Sequence, residues 1–234
     1  MSITALIKPE IVLASSSPRR QELIASLRLP VRIWPSRATE ETPESWSPSR
    51  IVEELALRKA FSVNEEMKGP DLESPLPLIV GSDTIVVLDG EVLGKPRDEA
   101  DAARMLRLLS GKTHEVFTGV ACVPAGSEPP GKDVLDERGE AADRDVRYRK
   151  LEGGAGVFLA VGRSVTRMTF KTLSEDRILR YVRSGEPMDK AGAYGAQGLG
   201  ATLIERIDGD FFGVVGLPLS LLSDMLLLYG LDIP

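Results

Sequence analysis

The amino-acid sequence predicts a mixed α/β fold, in which helices flank a twisted sheet of parallel and antiparallel strands. In the first half of the chain, short apolar stretches alternate with segments whose apolar residues recur at helical spacing. In the second half, stretches with period-two alternation lie on either side of short turns, which is typical of antiparallel pairs. Together these patterns indicate a mixed sheet that is covered by helices.

Composition places the chain among ordinary globular proteins. Of its 234 residues, 42% are hydrophobic and 27% are charged, as expected for a chain with a substantial core. The net charge of −6 argues against a general nucleic-acid or acidic-membrane binder, because such proteins present an extended basic surface. No stretch approaches the roughly 18 consecutive apolar residues of a membrane helix. The single Cys122 lies in an apolar run, which indicates an inert thiol in a reducing compartment, so we expect a cytoplasmic protein.

The first strand and the first helix meet in a serine-rich turn. Residues 11–14 are apolar and predict a strand, while Ser17 and Pro18 predict the N-cap and first position of a helix. Arg19 and Arg20 follow in the first helical turn, where the helix dipole is already positive. The arginines either point into water or pair with an anion. Hydroxyl groups, free N–H groups and guanidinium groups together favour a phosphate site.

The next elements surround a polar loop that contains Glu40. In order, the pattern predicts a strand at 31–34, the polar loop at 35–48, a helix from Ser47 or Ser49 to about Met67, and a second loop at 68–77.

Residues 78–88 give the most apolar strand signal in the chain, and Gly81, Ser82 and Asp83 interrupt it. A carboxylate inside a buried strand is costly unless it is paired or binds a metal. His114 is the only histidine, so acid–base chemistry falls to carboxylates, of which Asp83 is the best candidate. The alternative is an aspartate that caps a turn at the end of the strand.

The rest of the chain continues the alternation of strands and helices. The pattern predicts, in order, a turn at Asp89 and Gly90, a helix from Asp98 to Leu109, a strand at 114–123, a polar insert or mobile loop at about 124–154, a strand at 157–170, a helix at 175–183 capped by Ser174, a glycine-rich run at 192–200, strands at 201–207 and 211–215, and a helix at 217–229.

Several motifs along the chain together resemble one protein family. They are Leu-Ala-Ser-Ser-Ser-Pro-Arg-Arg at 13–20, Lys-Ala at 59–60, Gly-Ser-Asp-Thr-Ile-Val at 81–86, Gly-Lys-Pro at 94–96, Leu-Ser-Gly at 109–111, Glu-Pro-Met-Asp-Lys-Ala-Gly-Ala-Tyr-Gly-Ala-Gln-Gly at 186–198 and Val-Val-Gly-Leu-Pro at 214–218. The chain resembles the Maf family of nucleoside triphosphate pyrophosphatases. Only the first few residues and the 124–154 insert fall outside the resemblance, which implies a single Maf-like domain over residues 1–234.

The resemblance implies a fold and an activity. The fold is of the Maf and inosine triphosphatase type, with two lobes around a deep nucleotide-binding cleft, and the family is commonly homodimeric. The activity is hydrolysis of a nucleoside triphosphate between its α- and β-phosphates with a divalent metal, Mg²⁺ or Mn²⁺. The products are the monophosphate and pyrophosphate.

The resemblance also assigns residues by position. Asp83 matches the proton acceptor, and the remaining matches handle phosphate or metal: Ser15, Ser17, Arg19, Arg20, Glu40, Lys59 and Lys95. In the branch that acts on dTTP and UTP, an arginine, a threonine and a glutamine mark the specificity, and Arg19, Thr84 and Gln197 fit that pattern. The pattern leaves open the choice between normal and modified pyrimidine nucleotides as substrates. We expect Asp83 and Glu40 to hold the metal, and Asp83, Lys59 and Lys95 to be catalytic.

Two other functions compete with this interpretation. One is a nucleotide-binding regulatory protein of cell division whose cleft performs no turnover. The other is a nucleic-acid binder that uses Arg19 and Arg20, which the acidic net charge disfavours. Release of pyrophosphate from a nucleotide discriminates the enzyme from both.

Overall fold

Strands form one mixed sheet in the computed structural model, which describes residues 9–67, 75–131, 147–154 and 156–233. The strands are β1 (Ile11–Leu13), β2 (Val31–Ile33), β3 (Leu78–Leu88), β4 (Glu91–Leu93), β5 (Thr113–Pro124), β6 (Tyr148–Glu152), β7 (Phe158–Phe170) and β8 (Ile204–Asp208). Their order is β2-β1-β3-β5-β7-β6, with β4 beside β3 and β8 beside β7. β1 pairs in parallel with β2 and β3, and the other pairs are antiparallel. The predicted mixed α/β class is confirmed.

Helices flank this sheet and begin largely where the capping residues predict. They are α1 (Pro18–Ala25), α2 (Pro48–Glu66), α3 (Glu99–Leu109), α4 (Glu175–Arg183), α5 (Phe211–Val215) and α6 (Leu219–Leu227). Ser47, Asp98 and Ser174 each accept a hydrogen bond from a backbone N–H in the first turn of α2, α3 and α4. Ser17 is the N-cap of α1, but its side chain makes no capping bond. None of the helices in the described residues is both long and apolar enough to cross a membrane.

Three predicted segments differ from the structure. The predicted strand at 201–207 is a 3-10 turn as far as Leu203 and a strand, β8, only from Ile204. The predicted loop at 124–154 is wrong for Tyr148–Glu152, which pairs with β7 as an edge strand, while residues 132–146 lie outside the described residues. Charged side chains are typical of protected sheet edges, and they hid this strand in the sequence. The predicted strand at 211–215 is helix α5, because the Asp210 carboxylate accepts a capping bond from the Gly213 N–H. A short apolar run does not distinguish the two states.

Helix α2 lies directly on the backbone of β3. The residue that permits this approach is Gly81, because a Cβ atom there would be 2.1 Å from the Ala56 carbonyl oxygen and 2.9 Å from the Ala60 nitrogen. Lys59 lies on α2 beside Ala60, and Asp83 lies on β3 two residues after Gly81. The glycine therefore sets the distance between a lysine and an aspartate on neighbouring elements.

His114 lies in the core and not in a catalytic triad. Its Nε2 is 2.7 Å from the Tyr194 hydroxyl oxygen, and the ring packs edge-on against Phe170 and Tyr194. Its Nδ1 is buried and has no hydrogen-bond partner among the described residues. Burial lowers the pKa of His114 to about 4, so the ring is neutral in the folded protein at neutral pH.

This burial predicts an acid-sensitive fold. The unfolded chain protonates His114 near its ordinary pKa of 6.5, whereas the folded chain does so only near 4, so the unfolded state binds more protons between these values. The contribution to stability is present above pH 6.5 and is lost as the pH falls towards 4. We expect the free energy of unfolding to fall by about 2 kcal/mol from pH 7 to pH 5. Urea denaturation at the two pH values measures it.

His114→Phe is the control for this prediction, because it removes the chain's one imidazole. The variant is expected to be less stable at pH 7, since Tyr194 loses its partner, but to lose much less stability between pH 7 and pH 5. An equal loss in parent and variant would contradict the assignment.

Candidate active site

A cavity of about 1170 Å³ lies where the hydrophobic clusters of the protein meet. Its wall includes the turn between β1 and α1, the middle of β3 and the segment around Tyr194. All the residues predicted to act in a site line it: Ser15, Ser17, Arg19, Arg20, Glu40, Lys59, Asp83, Thr84, Lys95 and Gln197. The fold therefore brings together residues that are separated by almost the whole sequence.

The centre of the cavity wall is a carboxylate–ammonium–carboxylate group. The Lys59 ammonium donates to Asp83 Oδ1 at 2.5 Å and to Glu40 Oε1 at 2.7 Å. The side chains of Lys59 and Asp83 are only 11% and 9% exposed, whereas that of Glu40 is 52% exposed. Lys59 therefore satisfies the buried Asp83 and also holds the exposed loop carboxylate against it.

Glu40 is charged over the ordinary pH range. Burial raises the pKa of Glu40. The hydrogen bond and charge of Lys59, together with the charge of Lys95, lower it by more, so the pKa is below its usual value. The Lys95 ammonium lies 3.8 Å from Glu40 Oε2 and is 60% exposed. Glu40 therefore links the buried Lys59 to a lysine at the mouth of the cavity.

Arg20 is fixed by neutral groups. Its Nε donates to the Gly216 carbonyl oxygen at 2.8 Å, and its Nη2 donates to the Thr84 hydroxyl at 3.0 Å. The buried Thr118 hydroxyl lies 3.0 Å from the same Thr84 oxygen. Burial lowers the pKa of Arg20, and the negative charges of Asp83 and Glu40 oppose this effect. The guanidinium thus remains a cation with no direct carboxylate partner among the described residues, and it is available to an anion.

Arg19 lies opposite a different acid. Its Nη1 is 3.7 Å from Asp189 Oδ2, while Asp189 Oδ1 accepts from the Lys190 ammonium at 2.5 Å. Asp189 and Lys190 also line the cavity, although no role was predicted for either. Their signal was present in the sequence as the Asp-Lys pair of the 186–198 motif. The 3.7 Å separation between Arg19 and Asp189 is long for an ion pair, so an incoming phosphate would compete with Asp189 for the Arg19 guanidinium.

The remaining predicted residues are more loosely placed. The Ser15 hydroxyl accepts a hydrogen bond from the Ser17 N–H at 3.2 Å. Gln197 is exposed and precedes a 3-10 turn at Gly198–Leu203. The first N–H groups of α1 have no intrahelical partner, and Ser17 does not cap them with its side chain. This turn retains free donors for a phosphate.

Comparison with known proteins shows which family the chain is similar to. A family model described as Maf-like protein matches residues 10–228. The chain belongs to the Maf family. A relative from Moorella thermoacetica is 43% identical over 224 residues, which cover 96% of this chain and 97% of the relative. A relative from Desulforamulus reducens is 42% identical, with 95% and 98% covered, and one from Pelotomaculum thermopropionicum is 42% identical, with 96% and 98% covered. All three are named dTTP/UTP pyrophosphatase.

The carboxylates of this Maf protein fit a hard divalent cation that shares its coordination with substrate. Among the described residues, no group of three or more His, Cys, Asp and Glu side chains is placed to hold a metal ion. Asp83 and Glu40 meet at Lys59 and offer oxygen ligands. Mg²⁺ is usually held by one or two carboxylates together with substrate phosphates and water. Two carboxylates are therefore sufficient when a triphosphate supplies the other oxygens.

Two polar residues that support the Maf site, Ser82 and Thr118, received no role from the sequence, although Ser82 interrupts the apolar pattern of its strand. The buried Ser82 hydroxyl lies 2.9 Å from the carbonyl oxygens of both Gly119 and Gly216. Thr118 lies 2.8 Å from the Gly213 carbonyl oxygen. The available signal was a hydroxyl side chain inside a largely buried strand, because a buried hydroxyl needs a hydrogen-bond partner.

Proposed function

We propose that this chain hydrolyses dTTP and UTP to the nucleoside monophosphate and pyrophosphate. The observation that carries the proposal is Asp83, a carboxylate in mid-strand whose Oδ1 is held at 2.5 Å by Lys59 in the wall of the cavity. Membership of the Maf family and the printed name of the relatives, dTTP/UTP pyrophosphatase, support the same reaction.

In the proposed reaction Asp83 is the general base. It orients a water molecule and accepts a proton from it while the water oxygen attacks the α-phosphorus. The bond between the α-phosphorus and the α,β-bridging oxygen breaks, and pyrophosphate leaves with the electron pair. Lys59 fixes the carboxylate in place through Oδ1, which leaves Oδ2 to face the water.

Cations of the site stabilise the charge that develops on the phosphate oxygens. Arg20 is pre-oriented by Gly216 and Thr84, so it needs little reorganisation when the substrate binds. Lys95 is exposed at the mouth of the cavity. Ser15, Ser17 and the first turn of α1 supply hydrogen-bond donors for a phosphate oxygen.

Asp83 and Glu40 would hold a divalent metal, Mg²⁺ or Mn²⁺, together with the phosphates of the substrate. When bound, such an ion supplies Lewis-acid polarisation of the phosphoryl oxygens. Oxygen ligands and a small number of carboxylates support this proposal.

Arg19, Thr84 and Gln197 are proposed to select the pyrimidine base. A glutamine amide has both a donor and an acceptor, which suits the imide edge of uracil and thymine. Thr84 acts through Arg20, because its hydroxyl oxygen already accepts from that guanidinium.

A screen of the purified protein against all common nucleoside triphosphates tests the proposal. We expect pyrophosphate from dTTP and UTP with Mg²⁺ or Mn²⁺, and loss of activity when a chelator removes the metal. Coupled detection of pyrophosphate and of orthophosphate distinguishes the products. Orthophosphate with a diphosphate would contradict cleavage at the α-phosphorus, and binding without turnover would favour the regulatory alternative.

Two further properties are proposed: a homodimer, which the family resemblance implies, and a cytoplasmic location, which the single cysteine predicts. Cys122 is fully buried, and burial raises the pKa of its thiol, which makes the thiol unreactive. Analytical ultracentrifugation of the purified chain measures the first.

A further inference from the structure

The segment at 194–200, here called the base loop, carries Gln197. The Gln197 side chain is exposed and makes no capping bond to the turn that follows it. Its position in the cavity is therefore determined by the backbone of the base loop.

Glu186 and Tyr181 hold this backbone on both sides of Gln197. The Glu186 carboxylate accepts from the N–H groups of Leu199 and Gly200, both at 2.9 Å. It also accepts from the Tyr181 hydroxyl at 2.9 Å. The Tyr181 oxygen in turn accepts from the Gly195 N–H at 3.1 Å. The hydrogen bonds thus reach the chain two residues before Gln197 and two and three residues after it.

The fit between this pair and the base loop is close. A Cβ atom at Gly200 would lie 2.2 Å from the Gly195 carbonyl oxygen and 2.6 Å from the Tyr181 hydroxyl oxygen. Tyr181 is 5% exposed and belongs to the hydrophobic cluster that contains α3. Tyr181 therefore attaches the base loop to the hydrophobic core rather than to another loop.

The Glu186 carboxylate is ionised when it makes these bonds. Burial raises the pKa of Glu186, but the hydrogen bonds from the Gly200 and Leu199 N–H groups lower it by more, so the pKa is below its usual value. Hydrogen bonds to an ionised acceptor are roughly twice as strong as neutral ones. Neither Glu186 nor Tyr181 lines the cavity, so neither is placed to touch a nucleotide there.

We propose that Glu186 and Tyr181 are positioning residues that set the preference for uracil over cytosine, because they fix the backbone around Gln197. The inference rests on the proposed function, in which Gln197 reads the base. A site that hydrogen-bonds the polar edge of one base rejects another base strongly only when the hydrogen-bonding groups of the protein stay aligned.

The test compares kcat/KM for UTP with kcat/KM for CTP in Tyr181→Phe and Glu186→Gln. We expect the UTP/CTP ratio to fall about fivefold in the first variant and about tenfold in the second. Tyr181→Phe removes one neutral and one charge-assisted bond, and Glu186→Gln weakens three charge-assisted bonds. Two matched controls should keep the parent ratio. Tyr229→Phe removes a hydroxyl bonded to the carbonyl groups of Cys122 and Phe158, and Glu175→Gln breaks an exposed pair with Arg107.

A double-mutant cycle with Gln197→Ala separates positioning from general damage to the fold. If Glu186 acts through Gln197, Glu186→Gln should change the UTP/CTP ratio little in the Gln197→Ala background. An unchanged ratio in Glu186→Gln alone, or an undiminished loss in the Gln197→Ala background, would overturn the inference.

The failure of the proposed function gives a different result. If Gln197→Ala itself keeps the parent ratio, Gln197 does not read the base. Its proposed role and the positioning inference then fall, while the proposed hydrolysis still stands. If the parent releases no pyrophosphate, the proposed activity is wrong, and calorimetric affinities for UTP and CTP with Mg²⁺ replace kcat/KM. The positioning inference then stands or falls on the same variants.

Discussion

Asp83→Asn is expected to lower kcat for pyrophosphate release by about 10²- to 10⁴-fold, the usual contribution of a general base. The amide has the size of the carboxylate and still accepts a hydrogen bond from Lys59, but it does not take a proton from water at neutral pH. The cations and hydroxyls around the phosphates are unchanged, so nucleotide affinity should be retained largely. Single-turnover kinetics and calorimetric binding of UTP measure the two effects separately.

The matched control for this variant is Asp101→Asn. Asp101 is also a buried aspartate with a basic partner, Arg104, but it lies on α3 outside the cavity. It should keep kcat close to that of the parent. If Asp83→Asn retained more than about a tenth of the parent kcat, the base would lie elsewhere. Loss of UTP binding along with turnover would instead indicate that Asp83 acts mainly in binding.

Gly81→Ala is expected to remove both stability and activity, although the residue touches no substrate. The new methyl group would lie 2.1 Å from the Ala56 carbonyl oxygen, and backbone atoms do not rotate away as side chains do. Helix α2 must therefore move off β3, and overpacking of this kind costs about 3 kcal/mol. The shift separates Lys59 from Asp83, and a misplacement of about 1 Å can cost about 100-fold in rate.

Gly119→Ala provides an independent second variant. It lies on β5 at the register position of Asp83, and its Cβ atom would be 2.1 Å from the Val52 carbonyl oxygen of the same helix. Urea denaturation and kcat/KM on the folded fraction should show the same two losses. Wild-type stability with normal kcat/KM in either variant would mean that α2 does not need this close approach.

Patterns of neighbouring residues predicted most of the helices and strands, but one helix was predicted as a strand and one edge strand as a loop. Ser47, Asp98 and Ser174 marked helix starts because capping depends on neighbouring residues alone. The prediction of a strand at Phe211–Val215 was wrong because its apolar content suits a strand or a helix. The cap at Asp210 decides for the helix. Tyr148–Glu152 was missed because an edge strand buries little and its signal comes from pairing with β7.

The sequence predicted which residues lie in the candidate site, but not which of them contact each other. Asp83 stood out because a buried strand gives a carboxylate no solvent, and the structure provides Lys59 as its partner. Nothing local in the sequence pairs Lys59 with Glu40, which is 19 positions away on a polar loop. The link between Tyr181, Glu186 and the base loop also depends on the tertiary packing of α4, which no local sequence pattern predicts.

The long central strands have a mechanical consequence. β3 pairs with β5 from Leu78 to Val87, and β5 pairs with β7 from Thr113 to Cys122, without a shift of register in either ladder. These ladders run beneath the cavity and join the hydrophobic clusters on its two sides. The two sides have no hinge in the sheet, since bending there would break several hydrogen bonds at once. We expect the floor of the cavity and the base loop to keep their shape when nucleotide binds, while the exposed segment that carries Glu40 adjusts around them.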